Sequence, residues 1–187
     1  MPAIRPYQPK DKERVRMVCI QVGLEEGKRE GPPRAVQQTT YCDYYIECEP
    51  HNCFVIADDR DRAVGYIICA ESYRPYYERF LREYVPRVKD LRFPRRVQCW
   101  GAAWMPRWFA KKYPAHLHIN IMEDYQRQGL GSQLVDTLAA HLRAKGVPGV
   151  MLGVGPHNVK GRSFYNKYGF KQLLRIPSSV VMGLKLD

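Results

Sequence analysis

The run His116-Leu117-His118-Ile119-Asn120-Ile121-Met122-Glu123-Asp124-Tyr125-Gln126-Arg127-Gln128-Gly129-Leu130-Gly131-Ser132 decides how this chain is read. Its first six residues read as a strand, and a short turn leads to Gln126 and the two glycines. Beyond them Leu130, Leu134, Val135, Leu138, Ala139 and Leu142 fall on one helical stripe, which Gly146 and Pro148 end. A strand, a turn, Gln-x-x-Gly-x-Gly and an amphipathic helix make an anion-binding device. The first-turn N–H groups point outward, and the helix dipole adds roughly half a positive charge at that end. Gly129 and Gly131 remove side chains that would keep a phosphate away, and Arg127 offers a charge-assisted contact. The spacing fits neither a P-loop nor a dinucleotide fingerprint. Taken alone, the six residues fit equally a helix start with no ligand.

Downstream, Val150-Met151-Leu152-Gly153-Val154 is an apolar run of buried-strand length. Asn158 opens a loop into a short helix ending at Lys167-Tyr168-Gly169-Phe170, with Gly169 in the position that favours a left-handed residue. Residues 179–186 supply a final strand. Strand–helix–strand–helix demands a right-handed crossover and parallel neighbours, so the fold class is α/β with a mixed sheet. Upstream, residues 11–23 form a helix, 25–33 a loop and 35–48 a second helix. Residues 52–57 and Ala63–Ala70 form a hairpin across Asp58-Asp59-Arg60-Asp61-Arg62. Residues 72–113, rich in aromatic and basic side chains and with helical spacing over 76–85, are an insertion that shapes a pocket within a single domain spanning 1–187. Its Tyr73, Tyr76, Tyr77, Trp100, Trp104, Trp108 and Phe109 either wall an acceptor pocket or pack the insertion on the sheet.

Composition narrows the classes further. Of 187 residues 45% are hydrophobic and 26% charged, which excludes a disordered or fibrous chain. No stretch approaches the ~18 apolar residues of a spanning helix, and no apolar segment follows Met1, so a soluble, cytoplasmic protein is expected. Thirty Lys and Arg against 19 acids leave a net charge of +11, which favours polyanionic partners: nucleic acid, an anionic surface or a phosphorylated cofactor. No recognised nucleic-acid motif accompanies that charge. The six cysteines form no CxxC pair, and Cys48 and Cys53 with His51 between them lack a second ligand pair, so no metal site is expected.

Four linked features resemble the GNAT N-acetyltransferase superfamily. They are the strand and turn before Gln126–Gly131, the signature itself, the buried strand 150–154, and Asn158 seven residues before Tyr165 within Ser163-Phe164-Tyr165-Asn166-Lys167-Tyr168-Gly169-Phe170. The opening Ile4-Arg5-Pro6-Tyr7, with Asp11 ahead of an apolar helix, resembles the family's first strand and helix. Tyr113-Pro114-Ala115-His116-Leu117-His118 and Gly146-Val147-Pro148-Gly149-Val150 are similar to the acetyltransferase-like domains fused to some O-GlcNAc-removing glycosidases. The resemblance implies a mostly antiparallel sheet with a parallel central pair, acetyl-CoA as cosubstrate without metal, and acyl transfer to an amine of a small molecule or peptide. A homodimer is compatible with it.

The resemblance also implies roles. The backbone of Ile119, Asn120 and Ile121 would pair with the pantetheine arm as an added strand does. Gln126, Arg127, Gln128, Gly129, Leu130, Gly131 and Ser132 would hold the pyrophosphate, Asn158 would contact the arm, and Tyr165 would sit near the thioester sulfur. The chemistry needs the same parts. An ammonium must lose a proton before it attacks, an oxyanion needs a donor such as an N–H around Ile121, and the departing thiolate gains from an acid such as the Tyr165 phenol. His116 and His118, two apart on one strand face, are the candidate bases, with Glu71 and Glu123 in reserve. Strand histidines elsewhere in the family sit one residue out of register with these, hence on the opposite face unless the strand bulges. A structural pair of histidines, a catalytically silent acetyl-CoA-binding module and a nucleic-acid binder are the competing readings.

Overall fold

The sheet has seven strands in the order β1-β2-β3-β4-β5-β7-β6. These are β1 (Ala3–Pro6), β2 (Cys53–Ala57), β3 (Ala63–Ala70), β4 (Ala115–Ile121), β5 (Gly149–Val154), β6 (Lys171–Ile176) and β7 (Ser179–Lys185). In this computed structural model, residues 2–88, 101 and 105–186 are described. Every neighbouring pair is antiparallel except β4 and β5, which are parallel, as a helical crossover requires. The expected mixed α/β sheet with a parallel central pair is therefore the observed one.

Helices cover both faces. On one face lies the long helix Leu130–Ala144, whose six stripe residues are all buried among β-strand side chains such as Ile67, Leu117 and Val150. Gly146, at φ +72°, ends it as expected, and Val159–Tyr168 lies on the same face. That second helix stops at Gly169, at φ +117°, where the N–H groups of Gly169 and Phe170 both bond Tyr165 O and the Phe170 ring packs against Tyr165 and Tyr168.

The opposite face carries α1 (Lys12–Gly23) and a longer second helix than the sequence indicates. It starts at α2 (Gly31–Gln38), passes through a π-helical turn (Thr39–Asp43) and finishes as α3 (Tyr44–Cys48). Pro32 and Pro33 sit in its first turn, where a missing N–H costs nothing; this is why the loop expected over 25–33 ends at Gly31. The insertion begins with α4 (Tyr73–Arg79) and a π-helical turn (Phe80–Tyr84). Tyr76, Phe80 and Tyr84 stack in sequence and are buried against the Tyr44–Tyr45 segment. For this part of the insertion, packing on the sheet is the observed use of the aromatics. Trp100 and Trp104 lie outside the described residues, and Trp108 is exposed.

No helix among the described residues is long and apolar enough to cross a membrane. Among the same residues no group of His, Cys, Asp and Glu is placed to hold a metal ion.

Candidate active site

The parallel ladder between β4 and β5 is short. It holds only Ala115↔Val150 and His116↔Met151, after which Leu152, Gly153 and Val154 pair with β7 alone. The other edge of β4 stays bonded to β3 without a register shift from His116 to Ile121. The bond from Met122 N–H to Val64 O fixes the phase of that ladder. Even-numbered residues of β4 turn their main-chain groups to β3, and Leu117, Ile119 and Ile121 turn theirs to the gap. The two strands thus splay from a crotch at Leu117, leaving about 13 Å of β4 edge at ~3.3 Å per residue.

At the wide end of the splay stands the tip of the long helix. Gly129 occupies its N-cap with φ +77°, a left-handed conformation that glycine adopts without a Cβ penalty. No side chain caps this turn, so its leading N–H groups face outward. Arg127, also left-handed at φ +60°, is exposed beside it. Gln126 Nε2 donates to Ile121 O at 2.8 Å and Gln128 Nε2 to Asp124 O at 2.9 Å, so both amides brace the turn. Gly131 also has a packing use. A Cβ there would lie 3.3 Å from the Phe164 ring and 3.6 Å from Ile121 Cδ1, so its bareness lets three elements meet behind the tip.

Of the residues read from the sequence, Asn158 Oδ1 accepts from Gly161 N–H at 2.8 Å and so caps Val159–Tyr168, leaving its amide to donate elsewhere. Tyr165 packs beside Phe164 and Phe170 on the face that carries the tip, and burial raises its phenol pKa. It stays protonated near neutral pH. Asn120 turns its main chain to β3 and donates its amide to Tyr66 Oη at 2.8 Å, away from the splay.

The histidines stand on the other face. His116 is 5% exposed and His118 is partly exposed, and burial lowers their pKa values to about 3 and about 4. Both are neutral at pH 7. One hydroxyl, that of Tyr45, lies 2.9 Å from His116 Nε2 and 3.0 Å from His118 Nε2. The strand is unbulged, so this placement follows directly from the sequence parity. The two reserve carboxylates are far apart. Glu71 follows the β3 residue paired with His116, at the closed end of the splay, where it is ion-paired with Lys145. Glu123 is exposed at the open end. With Gln21, Val22, Arg29, Met122 and Gln126 it lines an open groove of about 430 Å³.

Sequence reasoning missed Tyr45. It belongs to a helix 71 residues before His116, and its neighbours Tyr44 and Ile46 are equally buried, so no local pattern sets it apart.

Comparison with known proteins shows the family and the fold. A model of the acetyltransferase (GNAT) family matches residues 23–170. The chain superposes on the crystal structure of SsHAT with a TM-score of 0.87 at 26% identity, covering 100% of this chain and 98% of that one. It is also similar to the PaiA N-acetyltransferase from Thermoplasma acidophilum in complex with coenzyme A, with a TM-score of 0.66, 18% identity and 99% of each chain covered. For Ard1 from Thermoplasma volcanium the TM-score is 0.63 at 19% identity, with 98% and 97% covered. At those two identities the likeness is one of fold.

Proposed function

Since the chain belongs to the acetyltransferase (GNAT) family and is an acyltransferase, we propose that it moves the acetyl group of acetyl-CoA to an amine by direct attack in a ternary complex. The observation that carries this reading is the splay of β4 from β5 beside an uncapped, glycine-opened helix tip. The residues present fit the cosubstrate. The outward N–H groups of Leu130, Gly131 and Ser132, with Gln126, Arg127, Gln128 and Gly129 around them, suit a diphosphate. The main-chain groups of Ile119 and the N–H of Ile121, whose carbonyl already accepts from Gln126, suit an extended amide-bearing arm, as a strand edge does. Acetyl-CoA, when bound, supplies an acyl group activated as a thioester.

The chain's own groups then have separable tasks. Ile119 N–H faces the gap near its narrow end and is the donor best placed for an acyl oxygen, with Ile121 N–H further out. The protonated Tyr165 phenol is the acid for the departing sulfur. Because the carrier side is filled by Val159–Tyr168 and the long helix, the amine is left to approach from the face of His118 and Tyr41. His116 is enclosed there and serves to hold Tyr45, not to meet an acceptor.

A melting curve tests the reading. Acetyl-CoA at 100 times its dissociation constant adds about 2.7 kcal/mol to native stability, read as a rise in Tm. No shift at millimolar acetyl-CoA overturns it. A catalytically silent acetyl-CoA-binding module is the second reading, favoured by the enclosure of His116. It requires the same shift but no CoA release with any amine tried.

A further inference from the structure

Three rings on the acceptor face share one oxygen. Tyr45 Oη meets His116 Nε2 and His118 Nε2, while the Tyr76 ring stacks on Tyr45 and meets His116 edge-on. A phenol gives one proton and accepts up to two, so one histidine can donate to it while the other accepts from it.

Where the protons lie follows from what the remaining nitrogens meet. His116 Nδ1 is buried and has no partner. A proton there would be an orphaned N–H, which is costlier than an unused lone pair. His116 therefore carries its proton on Nε2 and donates it to Tyr45 Oη. The Tyr45 proton is then free to be donated, and His118 Nε2 lies 3.0 Å from its oxygen. An imidazole nitrogen is a far stronger base than a phenol oxygen, so the proton goes to His118. With Nε2 occupied as an acceptor, the proton of His118 sits on Nδ1. The groups facing the pair are Tyr41 and Tyr45 from the second helix and Tyr76 from α4. No carboxylate or cation among the described residues bonds either ring, so nothing charged competes with this arrangement.

We propose that Tyr45 is a positioning residue that locks His118 as its Nδ1–H tautomer, so that His118 offers the acceptor a hydrogen-bond donor and not a base. The tautomer stands independently of the acyl-transfer reading, and its consequence for catalysis rests on that reading. The consequence is that the acceptor nitrogen gives up its proton to water before attack. Activity then follows the unprotonated fraction of the amine.

Histidine-labelled protein without ligands, observed by long-range proton–nitrogen correlation NMR near pH 7, tests the tautomer. The expected spectrum has a protonated Nδ1 and a bare Nε2 in His118, and the reverse in His116. Tyr45→Phe is expected to erase the distinction, giving averaged nitrogens in His118, whereas Tyr76→Phe keeps it. A protonated Nε2 on His118 in the native protein overturns the proposal, whatever the variants do. Kinetics test the consequence. With amines of different basicity, the rising limb of kcat/KM against pH is expected to move with the pKa of the amine. A limb that stays fixed while the amine is changed means that a group of the protein takes the proton, and overturns the proposal. A protein that turns over no amine fails the acyl-transfer reading instead, and the spectra still decide the tautomer.

Discussion

The two faces of the sheet are built by different rules. On the face proposed for the carrier, main-chain N–H and C=O groups are exposed by a strand splay and by a glycine at φ +77°. On the face proposed for the acceptor, side chains are brought together from three distant segments: Tyr45, Tyr76 and the β4 histidines. Backbone recognition needs only local conformation, so it leaves a short, spaced signature. Side-chain recognition needs tertiary packing and leaves almost none. On the proposed function the difference also divides the chemistry, since backbone groups would bind one constant carrier while a ring cluster could be retuned for its acceptor.

The sharpest way to break this division is Tyr165→Phe, since Tyr165 is the one side chain on the carrier face given a chemical task. Removal of an acid from the leaving group is expected to lower kcat by roughly 10²–10⁴-fold. The acetyl-CoA-dependent rise in Tm should persist, because the diphosphate and arm contacts are elsewhere. An unchanged kcat in steady-state assays would return Tyr165 to the core packing it shares with Phe164 and Phe170.

The acceptor face has its own readout, in stability. His116 and His118 have folded pKa values of about 3 and about 4, below the ordinary 6.5 of an unfolded histidine. The unfolded chain therefore binds more protons than the native one as pH falls below 6.5. Stability present above that pH is lost on the way down toward 4 and 3. Each histidine contributes a slope of up to about 1.4 kcal/mol per pH unit. Urea unfolding between pH 6.5 and 5, above the ordinary carboxylate range, is the measurement. His118→Asn should flatten the slope by about half, and no flattening would mean that His118 is solvated in the native state.

The same division explains what could be read in advance. The stripe from Leu130 to Leu142, the stop at Gly146 and the ending at Gly169 are local patterns, and all are found as read. The edge strand Lys171–Ile176 was not foreseen, because its exposed and half-buried residues give no alternation of apolar with polar. The helix start at Gly31 was hidden by two prolines that read as loop. Glu71 and Glu123 looked interchangeable in sequence, yet the antiparallel β3–β4 ladder sends them to opposite ends of the splay. Asn120 looked like Ile119 and Ile121 until the ladder phase turned it away from the gap. Tyr45 could not be found at all without the fold, for its contacts cross more than seventy residues.

The smallest expected effect falls on Asn158, where the two rules meet in one side chain. Its Oδ1 caps the Val159–Tyr168 helix through Gly161 N–H, and its amide is left to serve a ligand. Asn158→Ala removes both functions and should cost about 1 kcal/mol of stability, the usual worth of such a cap, together with part of the acetyl-CoA affinity. Asn158→Asp separates them. A carboxylate still accepts from Gly161 N–H and favours a helix N-terminus, so the ligand-free Tm should hold at the native value. It cannot donate, so any hydrogen bond from the amide to the carrier is lost, and a negative charge now faces a polyanion. Isothermal titration of acetyl-CoA into both variants reads the result. If Asn158→Asp binds as tightly as the native chain, Asn158 acts only on the helix, and the carrier face is recognised by main-chain groups without its help.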